Sequence, residues 1–358
     1  MITISLCMIV KNEEATLARA LESVKDAVDE IVIADTGSTD STMEIARQFT
    51  DKVFNFKWID DFSAARNFSF SKATQDYILW MDADDVFLEE DLQKLKELKK
   101  TLDPTTDVVM FKYNTGFDAQ GRVTFSYYRE RLVRRAGNFK WKEPVHEVID
   151  TSGNYLTSDI AVSHKKENYE HGSKRNLQIY EAIINSGQEL SVRGNYYYAR
   201  ELYTHAMYEK AIEQFEKFLA NGKGWIEDKL GACELMARCY MATEQDEKAL
   251  LSALHSFSLT IPRGELCCLV GEIFKKQNNF ANALFWYDLA AKLPIPKSTF
   301  GFVKPDYYNF VPLVECAVCC DKLKRYKEAE EYNEKAAAFK PEHPSVLHNR
   351  SYFKKLLS

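Results

Sequence analysis

Four segments in the second half of this chain, YEKAIEQF, DEKALLSA, FANALFWY and YKEAEEYN, share one register, with alanine at 211, 249, 283 and 329. Twelve positions before each alanine stands another small residue (Ala199, Ala237, Gly271, Ala317), and nine before it an apolar one (Leu202, Tyr240, Phe274, Cys320). A small side chain on each of two successive helices lets their backbones approach closely. The alanines lie 38 (211 to 249), 34 (249 to 283) and 46 (283 to 329) residues apart. No strand rhythm runs through this region, so from about Arg193 onward the chain is expected to fold as stacked helical hairpins. An ordinary bundle would also bury small residues, but not at two fixed offsets in all four segments.

The 34-residue spacing is the tetratricopeptide period, and the region resembles four such repeats, the first and last longer-linked or degenerate. Pro341, twelve past Ala329, closes the last one. Stacked repeats suit extended peptides, and they can equally serve to form a homodimer or to brace a neighbouring domain.

The first half has a different rhythm. ISLCMIV (Ile4–Val10) is rich in strand-formers, and a helical pattern with Leu17, Leu21 and Val24 on one face follows it. A second strand at Ile31–Ala34 enters the turn DTGSTD, with a helix from about Ser41. Val53–Trp58 and Tyr77–Met81 read as a third and fourth strand. Strands alternating with helices imply a mostly parallel sheet covered on both faces, with ligands bound beyond the carboxyl ends of its strands. Beyond Leu102, VVMFKYN, VTFSYY and RERLVRR look like strands of an added, partly antiparallel layer.

The bulk properties narrow the classes. A length of 358 residues favours two domains. A net charge of −6 argues against a nucleic-acid binder that works by neutralising phosphates. No apolar run approaches the roughly 20 residues of a membrane span. MITISLCMIVKNEE has no basic leader and no small-residue cleavage site, so it is read as a strand and not as a signal peptide. Eight cysteines, with Cys267/Cys268 and Cys319/Cys320 adjacent inside helical patterns, read as small buried residues of a reduced, cytoplasmic chain.

The densest chemistry lies in YILWMDADDVFLEED (Tyr77–Asp91), where an apolar strand runs into Asp82, Asp84 and Asp85. Like charges this close repel, so the arrangement calls for a positive partner. Aspartates at i and i+2 leaving a strand can turn oxygens to one side, and a hard divalent cation takes such ligands. Such an ion also binds the phosphates of a substrate and stabilises a departing diphosphate. Asp85 can instead cap a helix beginning near Leu88, and Glu89, Glu90 and Asp91 belong to that helix's solvated first turn.

Taken in order, SLCMIVKNEEATLARALESV, IVIADTGSTDST and FSAARNFSFSKATQDYILWMDADD resemble the nucleotide-binding half of a family 2 glycosyltransferase with a GT-A fold, over about residues 1–90. The resemblance implies transfer, usually with inversion, from a nucleotide diphosphate sugar with Mn²⁺ or Mg²⁺. It places Val10, Asn12 and Glu13 at the base pocket and Asp35 at the nucleobase or ribose, although ADTGSTD leaves open whether Asp35 or Thr36 faces the base. As a turn-former, Asp35 would instead serve the bend itself. Ser63, Arg66 and Asn67 of FSAARN fall on the donor side, where Arg66 would pair with Asp35 or with the diphosphate. Asp82 and Asp84 are the metal candidates, with Asp84 in the principal ligand position and Asp82 acting more often through the ribose or a water.

On the acceptor side, WKEPVHE resembles the motif at this position in bacterial transferases that modify cell-surface sugars or peptides. Glu147 is the expected general base, with His146 as its neighbour or as a metal ligand. His164 is a candidate third metal ligand, and its nitrogen would favour Mn²⁺. Lys165, Lys166, Lys174 and Arg175 form a basic loop able to close over a diphosphate.

A GT-A domain followed directly by tetratricopeptide repeats resembles the sublancin S-glycosyltransferase group, which moves a hexose from a UDP-sugar to a cysteine, or sometimes a serine, of a peptide. The expected organisation is an α/β GT-A domain (1–170), a helical connector (171–192) and an all-α tetratricopeptide-repeat domain (193–358). The expected partners are a nucleotide-sugar donor and a peptide or protein acceptor held by the repeats. Two rivals stand beside this reading: transfer to a saccharide or lipid-linked glycan, and a non-catalytic peptide-binding scaffold. A nucleotidyltransferase would need a glycine-rich phosphate loop after the first strand, and KNEEATL is not one.

Overall fold

The computed structural model describes residues 1–118, 120–165, 173–296, 301 and 303–357. The chain forms two compact units, Met1–Glu189 and Leu190–Ser358.

The first unit runs β1 (Ile4–Val10), α1 (Leu17–Glu22), β2 (Glu30–Asp35), α2 (Thr42–Arg47), β3 (Val53–Asn55), α3 (Phe62–Phe70), β4 (Tyr77–Trp80), β5 (Asp85–Val86) and α4 (Glu89–Thr101). It continues through β6 (Val108–Phe117), β7 (Val123–Arg134), β8 (Lys140–Lys142), β9 (Val148–Asp150), β10 (Tyr155–His164) and α5 (Arg175–Asn185). Helix α5 lies in the stretch expected as a connector. Eight strands form one sheet in the order β3-β2-β1-β4-β7-β6-β10-β5, and β8 and β9 form a separate ribbon. The pairs among β3, β2, β1 and β4 are parallel, as is β6 with β10, whereas β7 is antiparallel to both β4 and β6.

Two expectations need correction here. The third strand ends at Asn55, short of Trp58. The later strands are not an added layer: VTFSYY and RERLVRR are one strand, β7, inserted between β4 and β6 of the main sheet. Val133 pairs with Ile78 on one side and Val108 on the other, and all three are buried.

The period-two alternation of strands sorts the core onto two faces. Ile4, Leu6, Met8 and Val10 of β1 pack with Leu17, Leu21 and Val24, while Cys7 faces the opposite cluster with Ile78, Trp80, Phe70 and Trp141. At the amino ends of the strands a buried carboxylate binds four segments together. Glu30 accepts hydrogen bonds from the Ser5 hydroxyl and from the Thr74 amide (2.8 Å) and hydroxyl (2.7 Å), and pairs with Lys52.

The second unit consists of α6 (Val192–Thr204), α7 (Tyr208–Ala220), α8 (Ile226–Ala242), α9 (Asp246–Leu259), α10 (Gly264–Lys276), α11 (Phe280–Lys292), α12 (Phe310–Lys322), α13 (Tyr326–Ala337) and α14 (Pro344–Leu357). The alanines at 199, 237 and 317 and those at 211, 249, 283 and 329 are all fully buried. At Gly271 a methyl group would stand 3.0 Å from the ring of Tyr287. The turn of each hairpin repeats as well. Ala206, Glu244, Asn278 and Lys324 are left-handed, with φ of 56°, 58°, 57° and 60°. The next amide in each turn bonds the carbonyl of the apolar residue noted above: Met207 to Leu202 (2.9 Å), Gln245 to Tyr240 (2.8 Å), Asn279 to Phe274 (2.9 Å) and Arg325 to Cys320 (2.9 Å). This is the Schellman helix stop, made four times by non-glycine residues. All eight cysteines are buried and unbridged. Among the described residues no helix is long and apolar enough to cross a membrane.

Candidate active site

Beyond the carboxyl ends of β1 and β2 two loops are laced together. The Thr36 amide (2.9 Å) and hydroxyl (3.1 Å) both donate to the Val10 carbonyl. The Asn12 amide donates to Ser38 Oγ (2.9 Å), and Asn12 Oδ1 accepts from the Thr39 amide (2.8 Å). The Glu13 amide donates to Thr42 Oγ1 (2.7 Å). Asp35 is buried, and its carboxylate accepts from the amides of Gly37 (3.0 Å) and Ser38 (3.1 Å). Gly37 sits at φ 107°, a conformation that needs glycine. Asp35 therefore shapes the turn, the second of its two expected roles.

Helix α3 brings in the arginine. Asp61 caps it by accepting from the Ala64 amide (2.9 Å), and the Ser63 hydroxyl also donates to Asp61 (2.7 Å). The Asn67 amide group donates to the Trp141 carbonyl (2.9 Å) and accepts from the Trp141 amide (2.9 Å), fastening α3 to β8. Both residues are thus engaged in placing α3. Arg66, between them, is buried with its guanidinium over the rings of Trp80 (5.1 Å) and Trp141 (4.8 Å). Its Nη2 meets Asp82 Oδ1 at 2.7 Å and its Nε meets Glu147 Oε1 at 2.7 Å. The expected pairing of Arg66 with Asp35 does not form, because Asp35 is turned into its own bend.

Glu147 reaches Arg66 from the loop between β8 and β9. That loop turns through left-handed Glu143 (φ 74°) and His146 (φ 55°). It is anchored where the Pro144 carbonyl accepts from the Phe62 amide (2.9 Å) and the Val145 carbonyl from the Tyr180 hydroxyl (3.3 Å). His146 is half-buried beside Glu147. Burial alone would raise the Asp82 carboxyl, but Arg66, with Arg131 and Arg129 beyond it, draws it down to about 2.

Asp84, Asp85 and His164 form a second cluster, with one candidate ligand atom from each lying within 4.8 Å of the others. His164 Nδ1 is 3.4 Å from Asp84 Oδ1 and 3.4 Å from Asp85 Oδ1. Hydrogen bonding to Asp84 and then Asp85 raises the imidazole to about 10. Of the expected set of Asp82, Asp84 and His164, the structure brings Asp84 and His164 together beside Asp85, while Asp82 is turned to Arg66. Asp85 is not a helix cap. It begins β5, pairs antiparallel with His164 of β10, and is fully buried against Arg131. The oxygen and nitrogen donors fit a divalent cation that accepts nitrogen, Mn²⁺ ahead of Mg²⁺.

Lys165 follows directly. Its amide donates to the Asp84 carbonyl (2.8 Å), its carbonyl accepts from Arg19 (2.6 Å), and its ammonium lies 4.0 Å from the Phe117 ring. Lys174 precedes α5, where Arg175 lies 4.8 Å over Phe62; Lys166 falls outside the described residues. Sequence reasoning missed Arg131 and Tyr113. The one signal for Arg131 was an arginine set directly beside two apolar residues, Leu132 and Val133, in a strand.

Residues 5–177 match the family model Glycosyl transferase family 2. A TPR repeat-containing protein of Synechococcus elongatus is 40% identical over 152 residues, 42% of this chain and 36% of that protein. The SPbeta prophage-derived glycosyltransferase SunS of Bacillus subtilis is 27% identical over 256 residues, 68% of this chain and 60% of that protein. The matches thus span 36% and 60% of these relatives' own lengths, less than two thirds of either. Among solved structures, glucosyl-3-phosphoglycerate synthase from Mycobacterium tuberculosis, in complex with Mg²⁺ and UDP, aligns over 53% of this chain and 81% of its own at 17% identity and TM-score 0.36. Residues 5–177 are a glycosyl transferase family 2 domain built on a mostly parallel sheet, and the chain continues from it into helical hairpins that carry the tetratricopeptide spacing.

Proposed function

We propose that this chain is a glycosyltransferase that moves a hexose, with inversion, from a UDP-linked donor to a cysteine or serine side chain of a peptide or protein. The observation that carries the reading is the pair of clusters beyond β4. Asp84 and His164 stand ready for a divalent cation, and Asp82 is joined through Arg66 to Glu147. Mn²⁺ or Mg²⁺, when bound by Asp84 and His164, would supply Lewis-acid stabilisation for the departing diphosphate.

The chain's own residues do the rest. The laced loops at Val10–Glu13 and Asp35–Ser38 form the floor on which the nucleotide base rests. Asp82, ionised and held by Arg66, is placed to accept a hydroxyl of the ribose. Glu147, oriented by the same guanidinium, faces the acceptor and takes its proton as the sulfur or oxygen attacks the sugar. Backside attack with the acceptor opposite the diphosphate inverts the anomeric carbon. A thiol, with an ordinary pKa near 8.5, would ask little of that base. The repeats then hold the acceptor peptide, a role that stacked hairpins suit.

Incubating the full chain with a panel of nucleotide sugars and Mn²⁺, then measuring nucleoside diphosphate release with and without a peptide library, tests this directly. UDP release that rises with a cysteine- or serine-containing peptide is expected. Asp84→Ala should abolish turnover while leaving the fold intact, and Glu147→Ala should reduce transfer without abolishing donor binding. Normal turnover by Asp84→Ala, or saccharides outcompeting every peptide as acceptor, would refute the corresponding part of the reading.

A further inference from the structure

The largest fully buried side chain among the described residues is a charged one, Arg131 of β7. Its Nη1 lies 2.9 Å from Asp85 Oδ2 and 3.2 Å from the Trp80 carbonyl, and neither side chain of the ion pair is exposed. The guanidinium is stacked 3.8 Å from the ring centre of Trp80 and 4.3 Å from that of Tyr113. Nε and Nη2 have no hydrogen-bond partner among the described residues. As a stabilising device this is poor, because each buried orphan donor costs on the order of 1–3 kcal/mol. A well-packed apolar pair of similar volume would commonly serve stability as well or better. The ion pair therefore calls for another explanation, and Asp85's remaining contacts supply one.

Oxygen Oδ2 of Asp85 accepts from Arg131 and from the Asp82 amide (3.2 Å), while Oδ1 accepts from the Tyr113 hydroxyl (2.9 Å). The same hydroxyl lies 3.0 Å from His164 Nδ1. A carboxylate only accepts, so Tyr113 spends its one hydrogen on Asp85 and must accept from His164, which places a hydrogen on Nδ1. The chain Arg131–Asp85–Tyr113–His164 thus fixes the plane and tautomer of the imidazole. Both oxygens of Asp85 are already engaged within the protein.

We infer that Arg131, Asp85 and Tyr113 are positioning residues that set Asp84 and His164 as the cation-holding pair, with Asp85 itself held back from the ion by Arg131. The inference rests on the cation site of the proposed function. Partners behind a ligating histidine typically govern metal affinity by about 10- to 100-fold. A nitrogen ligand matters more to Mn²⁺ than to Mg²⁺.

Titrating Mn²⁺ and Mg²⁺ by calorimetry into the full chain, with no donor present, tests it independently of turnover. Tyr113→Phe removes one oxygen and keeps the ring. It should melt within a few degrees of the unaltered chain, lose about tenfold or more in Mn²⁺ affinity, and lose distinctly less in Mg²⁺ affinity. Arg131→Lys should lie between the unaltered chain and Arg131→Met. Should Arg131→Met fail to fold, Tyr113→Phe still decides. An unchanged Mn²⁺ affinity and Mn²⁺/Mg²⁺ ratio in a folded Tyr113→Phe overturns the inference alone. Failure of the unaltered chain to bind Mn²⁺ at all overturns the cation site and, with it, this inference.

Discussion

Arg66 carries two carboxylates on one guanidinium, so replacing it asks separate questions of its charge and its shape. Its two contacts, both 2.7 Å, are charge-assisted hydrogen bonds, each worth on the order of 1.5–3 kcal/mol. Lysine keeps the charge but not the fork, so from the same Cα an ammonium can serve Asp82 or Glu147 but not both. Arg66→Lys should therefore forfeit one contact, about 10- to 100-fold in kcat/KM for transfer at 1.36 kcal/mol per tenfold. Arg66→Met removes the charge and leaves two carboxylates facing one another. Breaking a buried pair costs roughly 3–5 kcal/mol. Because the Asp82 side chain is 33% exposed, about 2–4 kcal/mol is the better expectation. For a unit of this size that lowers the melting temperature by about 5–12 °C.

The pH dependence should change with it. Asp82, held at about 2 by Arg66, contributes stability that is complete above its ordinary range near 3.8 and is lost as pH falls toward 2. Without Arg66, burial acts with less opposition, the carboxyl rises, and that contribution is gone at neutral pH. Urea unfolding followed from pH 2 to 7 would show Arg66→Met losing stability throughout and flattening in the acid window. An unchanged acid slope in Arg66→Met, or full kcat/KM in Arg66→Lys, would refute the shared-guanidinium argument.

Two further outcomes are expected. Burial raises the Glu30 carboxyl, but Lys52, Ser5 and Thr74 together bring it down to about 2, so its stability contribution should vanish as pH falls from about 4.5 to 2. Glu30→Gln should lose that contribution at pH 7 and show a shallower acid slope by chemical denaturation; a slope equal to the unaltered chain's contradicts the assignment. In the repeats, Lys324→Gly relieves a left-handed residue whose strain is about 1 kcal/mol, offset in part by glycine's greater freedom when unfolded. Its melting temperature should rise by about 1–2 °C, and a fall would mean that the Lys324 side chain does more than close a turn.

The helical repeats were legible because their constraint is local and recurs. Close helix approach demands small residues at fixed offsets, and Ala211, Ala249, Ala283 and Ala329 are fully buried. The inner strands were legible for a related reason: β1 is covered on both faces, so nearly every side chain in it is apolar. What could not be read was the place of β7. Its insertion between β4 and β6 depends on pairings such as Ile78 with Val133, which lie far apart in the chain and leave no local periodicity behind. The left-handed stops were also hidden, because Ala206, Glu244 and Lys324 are not residue types that announce such a conformation.

The site followed the same division between near and far. Asp82, Asp84 and Asp85 announced themselves by crowding three negative charges at the end of a strand. Which of them faces a cation was not in that spacing, because the choice is made by basic groups arriving from elsewhere. Arg66 comes from α3 and claims Asp82, and Arg131 comes from β7 and claims Asp85. His164, from β10, stands against Asp84, and hydrogen bonding to Asp84 and then Asp85 raises its imidazole to about 10. Three carboxylates thus meet three basic groups, which eases the repulsion apparent in the bare sequence. Only the third of those groups can give up its charge, because a guanidinium does not deprotonate in a protein. If the proposed site holds a divalent cation, His164 is the group of the three that would yield its charge, whereas Arg66 and Arg131 would keep theirs. This distribution of counter-charge supports the roles proposed above, with Asp84 as ligand, Asp82 as donor contact and Asp85 as anchor.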